Sequence, residues 1–209
     1  MYELGGALPD ADFGSGSNLL ISGPPLTGKR RIALEVLATG SRRGEGALVV
    51  TTKDSADKIL SEYGQLVGGQ DGVAVGVVDC VTQQRGVESV DDARVKYASS
   101  PVDMTGIGIK LSSFLEEFYE GQGIARNRIL LHSISTLLMY SNLQTVFRFL
   151  HVFTGRVQSA NALGLYVIDE TAHDDQTMNT LKQLFDGVIS VDEDGQATLR
   201  RSGLAADQG

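Results

Sequence analysis

Apolar residues fall along this chain in two alternating patterns. Short runs of consecutive Val, Ile, Leu and Ala, bounded by Gly, Pro, Asn or Asp, read as strands buried on both faces, and between them apolar positions recur at helical spacing. SNLLIS, Ser17 to Ser22, is a buried strand that feeds a Gly-Pro-Pro loop. KRRIALEVLATG follows with Ile32, Leu34, Val36 and Leu37 among helix formers, and Gly40 is expected to stop that helix. Gly46 to Thr52 is a second β-rich run, and the helix after it takes Asp54 or Ser55 as N-cap. Gly72 to Cys80 gives a third strand and Ala93 to Ser99 a short fourth. LSSFLEEFYE is helical, with Leu111, Phe114, Leu115 and Phe118 on one face. Arg128 to Leu131 is a buried strand ending in His132, and NLQTVFRFLHVFTGRVQSAN a long amphipathic helix. Ala162 to Glu170 is a strand running into two carboxylates, TMNTLKQLF a helix, and DGVISVDEDGQATLRR a hairpin turning at Asp194-Gly195.

This alternation predicts an α/β fold with a mostly parallel central sheet, helices on both faces and a C-terminal β-hairpin. Ligands of such folds lie at the carboxyl ends of strands. The loop after Ser22, Asp54, His132 and Asp169 all fall at such ends. With 209 residues, 42% of them hydrophobic, the chain suits one domain with a substantial core, and its 25 glycines stand singly as turn punctuation. A net charge of −8 argues against a surface that neutralises nucleic-acid phosphates wholesale, leaving room for no more than a local basic groove. Asp outnumbers Glu 16 to 10 and Arg outnumbers Lys 12 to 6, which suits a cytoplasm of molar salt as well as an ordinary acidic protein. Cys80 is alone, so no intramolecular disulfide or Cys-based metal cage forms, and three scattered histidines give no zinc spacing. MYELGGALPDADFG has no basic-then-apolar leader, and no apolar run approaches the roughly 18 residues of a membrane span. A cytoplasmic protein with no membrane insertion is expected.

The chemistry is concentrated in ISGPPLTGKRR, where Gly23, Gly28 and Lys29 stand at the spacing G-x-x-x-x-G-K of a phosphate-binding loop. Strand before and helix after supply the context the motif requires. In such a loop Gly23, Pro24, Pro25, Leu26, Thr27 and Gly28 turn main-chain N–H groups onto phosphate oxygens, the following helix adds its positive end, and Lys29 reaches the outer phosphates. Arg30 stands where a Ser or Thr hydroxyl would ligate Mg²⁺, and a guanidinium is donor-only. Arg30 and Arg31 either contact phosphate directly or are solvated residues of the first helical turn. LYVIDE, Leu165 to Glu170, fits an apolar strand ending in a metal-binding Asp-Glu pair, which makes Asp169 a candidate metal ligand and Glu170 a candidate activator of water.

In order, NLLISGPPLTGK, ALVVTTKD, RILLHSIS and LFDGVISV resemble the RecA-like P-loop ATPases of the KaiC and RadA branch, most of all the small single-domain KaiC-like proteins of halophilic archaea. The resemblance covers about residues 15 to 204 and implies a RecA-like P-loop NTPase fold spanning 1 to 209 as one domain. It implies ATP or ADP as ligand. It also marks three departures: Arg30 for the Mg²⁺-ligating hydroxyl, His132 for the Walker B aspartate, and Lys53-Asp54 for a glutamate pair, leaving Asp54 to activate water. Hydrolysis is therefore expected to be weak or absent, with Mg²⁺ left open. His132 is either a hydrogen-bonded structural residue or a group facing the phosphates. TLRRSG, Thr198 to Gly203, is partly similar to the finger through which KaiC-like subunits touch a neighbour's nucleotide, and is otherwise the solvated face of a last strand.

The leading expectation is a nucleotide-binding regulatory or signalling protein, read by a protein partner or a second copy of the chain. Three alternatives stand beside it. They are an active ATPase with a metal site rewired through Asp169, Glu170 or Asp54, a recombinase-like DNA-binding paralogue using the glycine-bearing segment Ser99 to Lys110, and a scaffold with an empty pocket.

Overall fold

The computed structural model describes residues 1–6, 8–69 and 72–201. Strands β1 (Tyr2–Gly5) and β2 (Leu8–Phe13) form an antiparallel pair, followed by β3 (Asn18–Gly23), α1 (Lys29–Ser41), β4 (Gly46–Thr51), α2 (Ala56–Val67), β5 (Val75–Asp79) and β6 (Val95–Tyr97). Then come α3 (Met104–Gln122), β7 (Asn127–His132), α4 (Ile134–Tyr140), α5 (Leu143–Ser159), β8 (Leu163–Asp169), α6 (Asp175–Lys182), β9 (Gly187–Val191) and β10 (Ala197–Arg201). Eight strands make one sheet in the order β10-β9-β3-β8-β7-β4-β5-β6, parallel throughout except for β10 against β9. Every residue of β3, β4 and β7 is buried, as their continuous apolar runs require. One face packs on α1, α2 and the β1–β2 pair, the other on α3 to α6. Register aligns Gly23 with Asp169, and His132 with both Val167 and Thr51, so four carboxyl ends converge beside the loop after β3. No helix among the described residues is long and apolar enough to cross a membrane.

Three elements differ from their sequence reading. Gly40 does not stop α1, which runs on to Ser41; it is buried, and glycine is needed there because a Cβ would collide with the Arg128 side chain and lie 2.7 Å from Glu45 Oε2. Helix α3 begins at Met104 rather than at Leu111, capped by Asp103 Oδ1 accepting the Gly106 N–H at 2.9 Å. Most of Ser99 to Lys110 is thus helix, not a glycine-bearing loop. The β1–β2 pair, ahead of residue 15, adds Tyr2, Leu4 and Phe13 to the core. At the far end the hairpin turns where expected, with Gly195 at φ 78° and its N–H on the Asp192 carbonyl at 3.1 Å. Ser202 and Gly203, part of the finger reading, lie outside the described residues.

Opposite the loop end of the sheet, a buried ionic knot ties β1 to the start of β7. Arg128 is fully buried, its Nε donating to Glu45 Oε2 at 2.6 Å and its Nη1 to the carbonyls of Glu3 and Val36 at 2.7 and 2.8 Å. Arg126 shares Glu45 through Oε1 at 3.0 Å and stacks over the Tyr2 ring.

Candidate functional site

The loop after β3 is shaped by local backbone constraints. At Gly23 a Cβ would overlap the Val191 carbonyl oxygen of neighbouring β9, so only glycine lets the two strands stay paired. Leu26 at φ 65° and Gly28 at φ 84° turn the chain left-handed before α1, and Leu26 projects fully into solvent. Thr27 Oγ1 donates to the Pro24 carbonyl at 2.9 Å, closing the loop on itself. The first bond of the helix runs from Ile32 N–H to the Gly28 carbonyl at 3.0 Å. Among the described residues, the main-chain N–H groups of Gly28, Lys29, Arg30 and Arg31 take no acceptor. They form the positive end of the helix, open at the carboxyl edge of the sheet.

Lys29 is 5% exposed, its ammonium held 2.9 Å from Asp169 Oδ1 and by the Pro24 carbonyl. Arg30 turns away from the loop toward α2, where Nη1 meets Asp54 Oδ2 and Nη2 meets Glu62 Oε1 at 2.6 Å. Lys58 takes the other Asp54 oxygen at 2.6 Å. Burial raises Asp54, but the Lys58 hydrogen bond and the charges of Arg30 and Lys58 outweigh it and hold the carboxyl below its ordinary value. Arg31 pairs with Glu35 one turn along at 3.0 Å, its side chain mostly in solvent. Glu170 accepts from Ser22 Oγ at 2.5 Å. Asp169 donates its N–H to Ser135 Oγ at 2.9 Å, a hydroxyl that also bonds His173 Nε2 at 2.9 Å.

Each candidate carboxylate therefore already has a partner: Asp54 two cations, Asp169 the loop lysine, Glu170 a hydroxyl. The roles of Glu62 and Lys58 were not read from the sequence, although Asp54, Lys58 and Glu62 stand at i, i+4 and i+8, the spacing of one helix face. A cavity of about 810 Å³ opens over the loop and runs between α1 and α2. Its wall carries five cationic side chains (Lys29, Arg30, Arg31, Lys53, Lys58) against three carboxylates (Asp54, Glu62, Asp169), an excess of positive charge in an acidic protein. No group of three or more His, Cys, Asp or Glu side chains among the described residues is arranged to hold a metal ion. A magnesium ion does not fit this donor set: the position after Lys29 bears a guanidinium, the end of β7 bears His132, and the Asp169 and Glu170 carboxylates at the end of β8 are taken by Lys29 and Ser22.

His132 is 7% exposed, and its Nδ1 is shut away without a partner among the described residues. Burial, then the nearby Arg30 charge, push the imidazole down to about 4 from an ordinary 6.5, so it is neutral at pH 7. Above the ordinary value both folded and unfolded chains hold the ring neutral. Below it the unfolded chain binds a proton that the folded chain refuses, so stability falls as pH drops from about 6.5 toward about 4. His132→Gln is expected to flatten that dependence by up to about one proton. Urea unfolding of both proteins at several pH values across the window measures it; parallel curves would contradict a neutral buried imidazole.

The model of a family of unknown function, DUF7504, matches residues 16–191. No curated protein matches the sequence. Among solved structures, an uncharacterised Pyrococcus horikoshii protein, crystallised with an unknown peptide, superimposes with a TM-score of 0.66 at 13% identity, over 92% of this chain and 94% of that one. A KaiC-like protein of the hyperthermophilic archaeon Pyrococcus horikoshii superimposes with a TM-score of 0.59 at 15% identity, over 92% and 82%. At such identities the likeness is one of fold, and the fold is RecA-like.

Proposed function

Because the chain belongs to DUF7504, a family of unknown function, we propose from its own geometry that it is a KaiC-like nucleotide-binding regulatory protein. It holds ATP or ADP over the loop and turns it over slowly or not at all. One observation carries this reading: the free N–H groups of Gly28 to Arg31 open on a cavity whose floor is Lys29, the arrangement that binds phosphate at a helix N-terminus. The prior engagement of Asp54, Asp169 and Glu170 favours binding without turnover, since each would have to leave a partner to activate water or hold a metal. A protein partner or a second copy of the chain would read the bound state.

Titration with fluorescent ATP and ADP analogues, combined with a phosphate-release assay, tests it. The composition directs that both be run at molar as well as low salt. Saturable binding is expected, with phosphate release no faster than that of Lys29→Ala. Absence of binding up to millimolar nucleotide would refute the reading. Release above the variant's background would move the protein to the ATPase alternative.

A further inference from the structure

Resting on the nucleotide reading above, the disagreement between the donor set and magnesium leads to a statement about the ligand. We propose that Arg30 replaces the divalent cation: the cavity takes a metal-free nucleotide polyphosphate, the guanidinium swinging from Asp54 and Glu62 onto the outer phosphate oxygens. Arg30 directly follows Lys29 on the first turn of α1, so its stem leaves the helix beside the free N–H groups. Its head already lies within the cavity wall. A guanidinium matches two phosphate oxygens with paired donors, whereas a metal ion placed there would meet a fixed positive charge and no hydroxyl.

The exchange strands no charge. Asp54 keeps Lys58 at 2.6 Å when Arg30 departs. Glu62 has a side chain 34% exposed, and water takes the place of the guanidinium. In the ligand-free state the two carboxylates hold Arg30 clear of the loop, so its own charge does not block the phosphate cradle. When phosphate arrives, a dianionic group competes with two singly charged carboxylates, one of which is already neutralised. His132 at the end of β7 adds no carboxylate that a metal-bound water could use, and as a neutral ring it adds no repulsion to either ligand form.

The experiment is a fluorescent-ATP titration of the intact protein with magnesium and again with excess EDTA, repeated on Arg30→Ala and Arg30→Lys. Affinity of the native chain is expected to change less than about twofold on chelation, while Arg30→Ala weakens binding in EDTA by about tenfold or more and Arg30→Lys recovers part of it. Native affinity that collapses on chelation overturns the metal-free site while leaving nucleotide binding intact. Unchanged affinity in Arg30→Ala overturns the role of this side chain. No binding in either buffer removes the nucleotide reading itself and this inference with it.

Discussion

Lys29→Ala is expected to weaken nucleotide binding by between about tenfold and a hundredfold, the range set by losing one charge-assisted hydrogen bond to phosphate. The side chain is 4% exposed and sits under the loop, between the Pro24 carbonyl and Asp169, 2.9 Å away. Among the described residues no other cation sits under the loop in the ligand-free chain, where Arg30 turns toward α2 and Arg31 toward solvent. Removing Lys29 also leaves the Asp169 carboxylate facing the phosphates without compensation, which adds repulsion to the lost attraction. Isothermal titration calorimetry on the native chain, on Lys29→Ala and on the shape-preserving Lys29→Met separates charge from packing. The two variants should lose affinity alike. A variant that binds as the native protein does would mean that the ligand is held without this side chain, by main-chain groups and the remaining cations of the cavity.

The largest expected loss of stability lies at the other end of the sheet. Arg128→Met removes a fully buried guanidinium whose partners are Glu45 and two main-chain carbonyls. Breaking one side of a buried, hydrogen-bonded ion pair costs about 3–5 kcal/mol because the partner stays behind uncompensated. Arg126 retains Glu45 at 3.0 Å and moderates the loss toward the lower figure. For a domain of this size that is a fall in the unfolding midpoint of about 10 °C, measurable by calorimetry. Arg43→Met, on the exposed pair with Glu3, should leave the midpoint where it is. Equal behaviour of the two variants would show that burial of Arg128 confers no special weight.

Much of the architecture is legible in the apolar runs, because a strand covered on both faces needs an apolar side chain at almost every position. SNLLIS, GALVVT and RILLH satisfy that condition and mark β3, β4 and β7 within a residue or so. What escapes is whatever depends on a distant partner. Tyr2 and Leu4 stand among polar residues and glycines, and are buried only because α1 and β7 come to meet them. Gly40 looks like a helix stop, but its reason is the Arg128 side chain, nearly ninety residues along. Gly106 and Gly108 break the helical pattern at the start of α3, although Gly108 stands where the Arg156 side chain passes 3.0 Å from a Cβ position. Arg128 opens a run read as a buried strand, but nothing in the sequence points to Glu45, 83 residues earlier, as the carboxylate that makes burying its charge tolerable. The loop after β3 is legible because its glycines answer to local backbone geometry. The partners of Arg30 are not, since a stripe of Asp54, Lys58 and Glu62 is also what an ordinary wet helix face carries.

The clasp that fastens β1 also governs when the protein can finish assembling. The Tyr2 hydroxyl donates to the Asn161 carbonyl, 159 residues along the chain, and the Glu3 carbonyl waits for Arg128, 125 residues along. Contacts of such span close late. In a chain made from its N-terminus, β1 is therefore the first strand synthesised and among the last to be locked, since its two long-range bonds wait for β7 and the end of α5 although its side chains already pack on the nearby α1.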